Sequence, residues 1–419
     1  MEPFSRPPHH APTSAPRRIL LADADAFYVS VARLVDPAGA GQARLLIVGG
    51  SAEGRGVVMS ASYEARAHGV HSAMPMARAL RLCPDALVVP VPWEACAGMG
   101  REVRHVLERF TPIVEQASSD EFYLDLSGTA RLYHDEPLEE TARRIRAAVL
   151  DATGLSLSIG GGSSRLVAKM AAGVAKPGPD RAGQGVHVVP DGQEIEFMRR
   201  FSLADIPGVG PKTAERLARV GLRTVDDVLG LDRPALTARM GPGGEREAEW
   251  LSRRARGIDG TPVEHRLHNK SISRDETFRQ DLDADADLAR ELAALVDRAT
   301  ADLRGSGLLA RTITVKLRDR DFTTRQASRT LKEPVLSDRV VCDVARTLLD
   351  RLRASRRVPA RLVGVALSGL VLDGGGPQLE LFARDDRLQI ETGRDQTIAR
   401  VLDTVRDRFG RKSLRRGWT

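Results

Sequence analysis

Residues 17–30 read RRILLADADAFYVS, an apolar run passing directly into alternating Asp and Ala. Such a run suits a buried strand that ends at a polar site. Asp23 and Asp25 stand at i, i+2, so a two-residue period would point both to one face. Further along, residues 112–127 read PIVEQASSDEFYLDLS, a strand–turn–strand pattern with Asp120 and Glu121 set between Ala117 and Leu124. Carboxylates embedded in apolar strand sequence are costly unless paired or bound to cations. Two such clusters on neighbouring strands would make an oxygen-ligand site for hard divalent ions. Two metals about 3.5–4 Å apart can clamp both oxygens of an in-line phosphoryl displacement. N-caps and turns use the same residue types, so neither cluster decides the matter alone.

Outward from this pair, RLLIVGG (44–50) reads as a second short strand, and helical patterns cover 74–82, 99–111 and 137–152. LSLSIGGGSS (155–164) is a strand running into a turn, followed by a helix over 165–174 that stops at Lys176-Pro177-Gly178. Strands alternating with helices argue for an α/β or α+β core. Character changes near 190: from Glu194 to Gly257 the chain reads as short helices punctuated by Gly and Pro. Beyond it, two helical patterns (284–304 and 337–353) and the strand-like runs SRDETF, ARTITVKLR, TTRQASRTL and RLVGVALSGL make a second α+β unit. From Asp373 come a Gly-rich hinge, the pentad QLELF and a final helix over 395–409.

The 419 residues are 42% hydrophobic and 28% charged, which excludes a disordered or fibrous chain. No run approaches the roughly 18–20 apolar residues of a membrane span. Residues 1–16 lack an apolar core, so they read as a disordered tail and not as a secretory signal. Three scattered cysteines without CxxC spacing exclude a disulfide framework and fit a reducing cytoplasm. The net charge of +7 favours a polyanionic partner.

Several segments are directed at anions. SASYEARAHGV (60–70) supplies Ser60, Tyr63 and Arg66, whose hydroxyls and guanidinium suit phosphate oxygens. Lys169 and Lys176 bracket a helix beside a Gly/Pro turn, and an ammonium is a point charge suited to a triphosphate. Each of these residues also suits a solvated surface. IPGVGPKTAERLARVGL (206–222) has the helix–hairpin–helix pattern, with Gly208 and Gly210 in the hairpin, Pro211 at the first helical position and Lys212 beside it. Hairpin amides and the following helix N-terminus would face a DNA phosphate. An αα-turn with glycine caps would look alike. Thr312, Thr314, Lys316, Arg318 and Arg320, then Thr323, Thr324, Arg325 and Arg329, alternate so that strands would line a phosphate-tracking face, or an ordinary solvated one.

Taken in order, DADAFY (23–28), SYEARAHGVHSAMPM (62–76), SSDEFYLDLSG (118–128), LVAKMAAGVAKPG (166–178) and IPGVGPKTAERL (206–217) resemble the Y-family translesion DNA polymerases, most closely the bacterial DinB type. The resemblance runs from about Arg17 to Leu372. It implies an α+β multidomain right hand: a palm (17–32 and 90–189), fingers (33–89), a thumb with the helix–hairpin–helix (190–258), a linker (259–269), a little finger (270–372) and a C-terminal tail (373–419). It further implies that Asp23 and Asp120 bind two Mg2+ ions, with Glu121 completing the site at the primer 3′-OH and the Ala24 backbone carbonyl as a further ligand. Tyr28 matches the ring that collides with a ribose 2′-OH. Phe27, Ser60, Tyr63, Arg66 and Lys176 match nucleotide contacts. The thumb hairpin, Lys270, Lys316, Arg318 and Arg325 match DNA contacts. Gln378, Leu379, Leu381 and Phe382 look like the peptide that docks on a sliding clamp. The implied partners are primer–template DNA, deoxynucleoside triphosphates and the clamp, and the implied state is a cytoplasmic monomer. A short fingers segment with small residues over 57–62 would test base-pair shape weakly, implying low fidelity.

The chain departs from the family pattern at Leu21, where His is common, at Ala22 and Ala24, where larger residues are usual, and at Ala32, where Glu is usual. Ser119 replaces Ile or Leu, and Phe122 replaces a small residue. The alternative reading is a catalytically weak or inactive accessory protein of the same fold that binds DNA and the clamp; it would be expected to have lost the carboxylates, which are intact. A helix–hairpin–helix repair nuclease leaves Tyr28 and the SYEAR segment unexplained.

Overall fold

The computed structural model describes residues 17–177, 184–264, 269–373, 391–410 and 413–414. Two bodies divide the chain, Met1–Arg266 and Leu267–Thr419.

In the first body, β1 (Ile19–Ala24) and α1 (Phe27–Val35) lead into β2 (Leu46–Gly49), β3 (Val58–Ala61), α2 (Tyr63–Ala67), α3 (Met76–Leu82) and β4 (Leu87–Val89). The chain then returns through α4 (Trp93–Leu107), β5 (Val114–Gln116), β6 (Glu121–Asp125), α5 (Leu138–Thr153), β7 (Leu157–Gly162), α6 (Arg165–Ala175) and β8 (Val186–Val188). A five-stranded sheet has the order β5-β6-β1-β7-β8, and a three-stranded one β3-β2-β4. β1 is central and buried at every residue, which is why its sequence is a continuous apolar run and not an alternation. Leu20, Ala22 and Ala24 join the core that holds Val103, Ile145 and Val149 of α4 and α5. Ile19 and Leu21 face the other way, toward Ala168 and Ala172 of α6. α6 lies hard against β7 because Gly160 has no side chain: a Cβ there would stand 2.0 Å from the Ala172 nitrogen. Ser164 caps α6, accepting the Val167 N–H at 3.2 Å.

The remaining segment of this body is helical: α7 (Glu194–Met198), α8 (Pro211–Arg219), α9 (Val225–Leu229), α10 (Arg233–Met240) and α11 (Glu245–Ala255). The stretch expected as a linker (259–269) is in part a strap. Arg17 donates to the Asp259 and Thr261 carbonyls, Arg165 donates to the Pro262 carbonyl, and Val263 is buried with Ile19, Leu21 and Tyr123.

In the second body, β9 (Ser271–Leu282), α12 (Asp285–Gly305), β10 (Leu308–Asp319), β11 (Thr324–Val335), α13 (Asp338–Ser355) and β12 (Ala360–Leu372) form a sheet of order β11-β10-β12-β9 with two helices. Ile313, Val315 and Leu317 of β10 pack with Leu292, Val296, Val341 and Leu349 of those helices, so one sheet face is covered and Thr312, Thr314, Lys316 and Arg318 lie on the other. A last helix, α14 (Gly393–Phe409), joins this body through Arg304–Asp403, Arg339–Asp395 and Arg406–Asp297 ion pairs.

Three differences from the sequence reading have clear causes. β3, β4 and β8 have only three or four residues each, too few for a periodicity to register. α4 begins at Trp93, six residues before the expected start, directly after Pro92, whose N-cap position carries no side-chain cap hydrogen bond and leaves little local signal. The strand carrying Asp23 ends at Ala24, so Asp25 does not share its face: Ala26 adopts a left-handed backbone, φ 44° and ψ 45°, and the chain turns into α1.

Candidate active site

The two acidic clusters meet where β1 and β6 run side by side. Antiparallel register sets Asp23 opposite Glu121, and the Ala24 N–H donates to the Asp120 carbonyl at 2.9 Å. α6 and its C-cap residue supply a cation to each side. The Lys176 ammonium lies 2.7 Å from Asp23 Oδ2, and Lys169 donates to both Glu121 oxygens at 2.6 and 2.8 Å. Asp120 Oδ1 accepts from Ser118 Oγ at 2.6 Å. Asp23 is 7% exposed, and burial pushes its carboxyl up to about 6 against the lowering pull of Lys176, with Glu121 and Asp120 adding to the rise.

Among the described residues no three carboxylate, imidazole or thiolate groups form a ready cation cage. The side chains nevertheless suit a hard cation: three carboxylates, all oxygen, with two ammoniums standing in as counter-charges. Asp25 is not part of it. Its oxygens accept from Ser156 Oγ at 2.9 Å and Ser158 Oγ at 2.7 Å, which ties the β1–α1 turn to β7.

Phe27 and Tyr28 open α1. The Phe27 ring is buried in the core, so only its backbone N–H, in the first helical turn, is left to meet a nucleotide. Tyr28 stands half-buried, its hydroxyl 2.9 Å from Ser119 Oγ and its ring edge-on to Trp93 with centroids 6.1 Å apart. On the three-stranded sheet, Arg66 donates to the Ala61 carbonyl at 2.9 Å and to Ser60 Oγ at 3.4 Å, and its guanidinium lies 5.0 Å from the Tyr63 ring centre. Burial, with Asp25 near, pushes the Tyr63 phenol up to about 12, so it remains a neutral donor. Ser60, Tyr63 and Arg66 therefore form one cluster. Ser62 between them is structural, capping α2 and bonding the Arg44 carbonyl.

At the thumb hairpin, Gly208 has φ 99°, and a Cβ would meet Trp250 at 2.9 Å. Gly210 caps α8, and Lys212 is exposed in its first turn. A second hairpin went unread: Gly241, Pro242, Gly243 and Gly244 join α10 to α11 with φ of 82° at Gly241 and 77° at Gly243. Its signal was the run MGPGG (240–244). In the second body, Lys316 and Arg318 share the open sheet face with Ser328, Gln326 and Thr324, and Lys316 pairs with Asp275. Lys270 is exposed just before β9. Arg325, expected beside them, stands apart. Its register opposite Leu317 turns it to the helix side, where it pairs with the fully buried Asp319 at 3.0 Å and donates to the Leu352 carbonyl. Gln378, Leu379, Leu381 and Phe382 lie outside the described residues.

A carboxylate triad beside a buried aromatic and a cluster of phosphate-directed side chains, with tandem hairpins in the same body, defines a nucleotidyltransferase of the right-hand polymerase class. Residues 22–173 match the impB/mucB/samB family, 269–381 match the C-terminal domain of the same family, and 201–253 match a SAM-like helix-hairpin-helix tandem. The chain is 38% identical over 356 residues to DNA polymerase IV of Alkalilimnicola ehrlichii, covering 85% of this chain and 96% of that protein. It is 34% identical over 403 residues to DNA polymerase IV of Dehalococcoides mccartyi, covering 96% and 97%. Its fold is that of the Y-family DNA polymerase chimera Dbh-Dpo4(243-245)-Dbh, at TM-score 0.74 and 23% identity over 85% of this chain and 99% of that one. The chain belongs to the impB/mucB/samB family, as a Y-family DNA polymerase of the DinB type. It is a DNA-directed DNA polymerase of translesion synthesis, an activity that requires metal, primer–template DNA and deoxynucleoside triphosphates. No helix among the described residues is long and apolar enough to cross a membrane.

Proposed function

We propose that Asp23, Asp120 and Glu121, with the Ala24 carbonyl, hold two Mg2+ ions at which a deoxynucleotide is added to the primer 3′-OH. The observation that carries this is the register of β1 on β6, with Asp23 opposite Glu121 and a lysine on each. Bound there, the ions would neutralise charge on the triphosphate and ease loss of the hydroxyl proton. The chain's own residues do the positioning that dominates phosphoryl transfer. Lys176, released from Asp23, reaches the phosphates, and Ser60, Tyr63 and Arg66 supply two hydroxyls and a guanidinium from the other side. The first-turn amides of α1, the Phe27 N–H among them, face the same anion. Tyr28 lies beneath the sugar, where its ring excludes a 2′-hydroxyl.

The tandem hairpins, including Gly208, Gly210 and Lys212, grip the duplex backbone. Lys270, Lys316 and Arg318 track phosphates from the open sheet of the second body. Gln378, Leu379, Leu381 and Phe382 bind the sliding clamp, and the polymerase works as a cytoplasmic monomer with low fidelity. The inactive accessory reading is not favoured, since all three carboxylates are present.

Primer extension on an undamaged template with Mg2+ tests the site. Addition is expected from the native chain and none from Asp120→Ala or Glu121→Ala, with primer–template affinity retained. Full extension by either variant would remove that carboxylate from the site.

A further inference from the structure

We propose that Ser119 is a positioning residue for sugar selection, tethering the Tyr28 hydroxyl beside Asp120. The inference rests on the reading of Tyr28 as the group that excludes a 2′-hydroxyl. Ser119 Oγ lies 2.9 Å from the Tyr28 hydroxyl and 3.4 Å from Asp120 Oδ1. One side chain therefore bridges the aromatic ring and a carboxylate of the acidic site. The ring is also held from its sides: Phe27 meets it edge-on at 5.3 Å between centroids and Trp93 at 6.1 Å.

Trp93 opens α4, and the same helix backs Ser119 itself. A Cβ on Gly100 would stand 3.3 Å from the Ser119 carbonyl oxygen, so the bare glycine lets helix and turn approach closely. One rigid element thus supports the ring and the serine together. An aliphatic residue at 119, as the family pattern would have it, offers the phenol no partner. The ring would then lose its polar tether and be held by Phe27 and Trp93 alone.

The distance at which a 2′-hydroxyl meets the ring decides sugar choice, because repulsion rises steeply once van der Waals contact is passed. A hydrogen bond that fixes the ring against Asp120 fixes it against the bound nucleotide as well. Ser119 does not touch the nucleotide in this account; it acts through Tyr28.

The test is single-nucleotide insertion opposite a template C with dGTP and with GTP, for Ser119→Ala, Ser119→Thr, Tyr28→Phe, Tyr28→Ala and the Ser119→Ala/Tyr28→Phe double variant. Ser119→Ala and Tyr28→Phe should each raise the GTP-to-dGTP ratio of kcat/KM about three- to tenfold, the size carried by one neutral hydrogen bond. The double variant should rise no further than either single one, and Ser119→Thr should restore the native ratio. A native ratio in Ser119→Ala beside a raised ratio in Tyr28→Ala would overturn the role of Ser119 alone. Independent, multiplying effects in the double variant would do the same. A native ratio in Tyr28→Ala would instead overturn the reading of Tyr28, and this inference with it.

Discussion

Asp23 carries a charge where the fold disfavours one. Burial raises its carboxyl to about 6, and the Lys176 ammonium at 2.7 Å pulls the other way. The folded chain therefore binds a proton on Asp23 more tightly than the unfolded chain does, and ionisation at neutral pH works against folding. The metal-binding role proposed for Asp23 needs that same ionised oxygen, so the site would trade stability for cation binding. Asp23→Asn should make the metal-free protein more stable at pH 7, by on the order of 1–3 kcal/mol, while primer extension is lost. Lys176, a third exposed, would turn to water. Denaturant melts of the metal-free pair read the result, and a less stable variant would mean that the ion pair outweighs the cost of burial.

At the scale of elements, the open face of the second sheet and its helix-covered face separate two arginines that look equivalent in sequence. Arg318 shares a face with Lys316 and bonds Thr324 Oγ1 at 2.9 Å, whereas Arg325 reaches Asp319, whose side chain is fully buried. Arg318→Ala should lower the salt dependence of DNA binding by about 0.9 in log–log slope. Arg325→Ala should leave that slope alone and destabilise the second body by about 1–3 kcal/mol, because the buried Asp319 carboxylate keeps Arg356 but loses one of its two guanidinium partners. Salt titrations and denaturant melts of both variants distinguish the roles.

The same pair marks the limit of legibility. Alternation in ARTITVKLR gave the faces of β10, because Ile313, Val315 and Leu317 enforce them. In TTRQASRTL the phase was ambiguous, and it took the partner strand to turn Arg325 inward. The carboxylates were legible as acids stranded in apolar sequence, with Asp25 misplaced because nothing local announced the left-handed Ala26. Contacts such as Ser119 to Tyr28 span 91 residues and leave no local pattern. α14 adds a pH dependence of its own. The Arg339 guanidinium, then Thr392, hold the Asp395 carboxyl well below its usual range. Stability from a lowered carboxyl is complete above its unfolded value, near 3.9, and drains away as pH falls toward the folded one. Docking of α14 should therefore weaken below about pH 4. Asp395→Asn should cost about 1 kcal/mol at pH 7, discounted for the partly exposed Arg339, and flatten that acid limb. Hydrogen exchange of α14 across pH reports it.

Across the whole molecule, the acidic site and the open basic sheet belong to different bodies with separate cores. The pentad QLELF (378–382) lies in sequence between β12, which ends at Leu372, and α14, which starts at Gly393. Both flanking elements are part of the second body. β12 is the strand between β10 and β9, and α14 is pinned by Arg304, Arg339 and Arg406. A partner bound at the pentad would be tied covalently to that body through both flanking elements, which would raise its effective concentration beside the open sheet. Replacing Leu381 and Phe382 together by Ala removes the two large apolar residues at the end of the pentad, at positions outside the ranges of β12 and α14. That variant should lose stimulation by the sliding clamp while clamp-free primer extension stays at the native rate. Primer-extension length with and without loaded clamp is the measurement. Retained stimulation would remove the pentad from the account and send the search for the clamp contact to the exposed face of α14, where Val401 and Phe409 lie open.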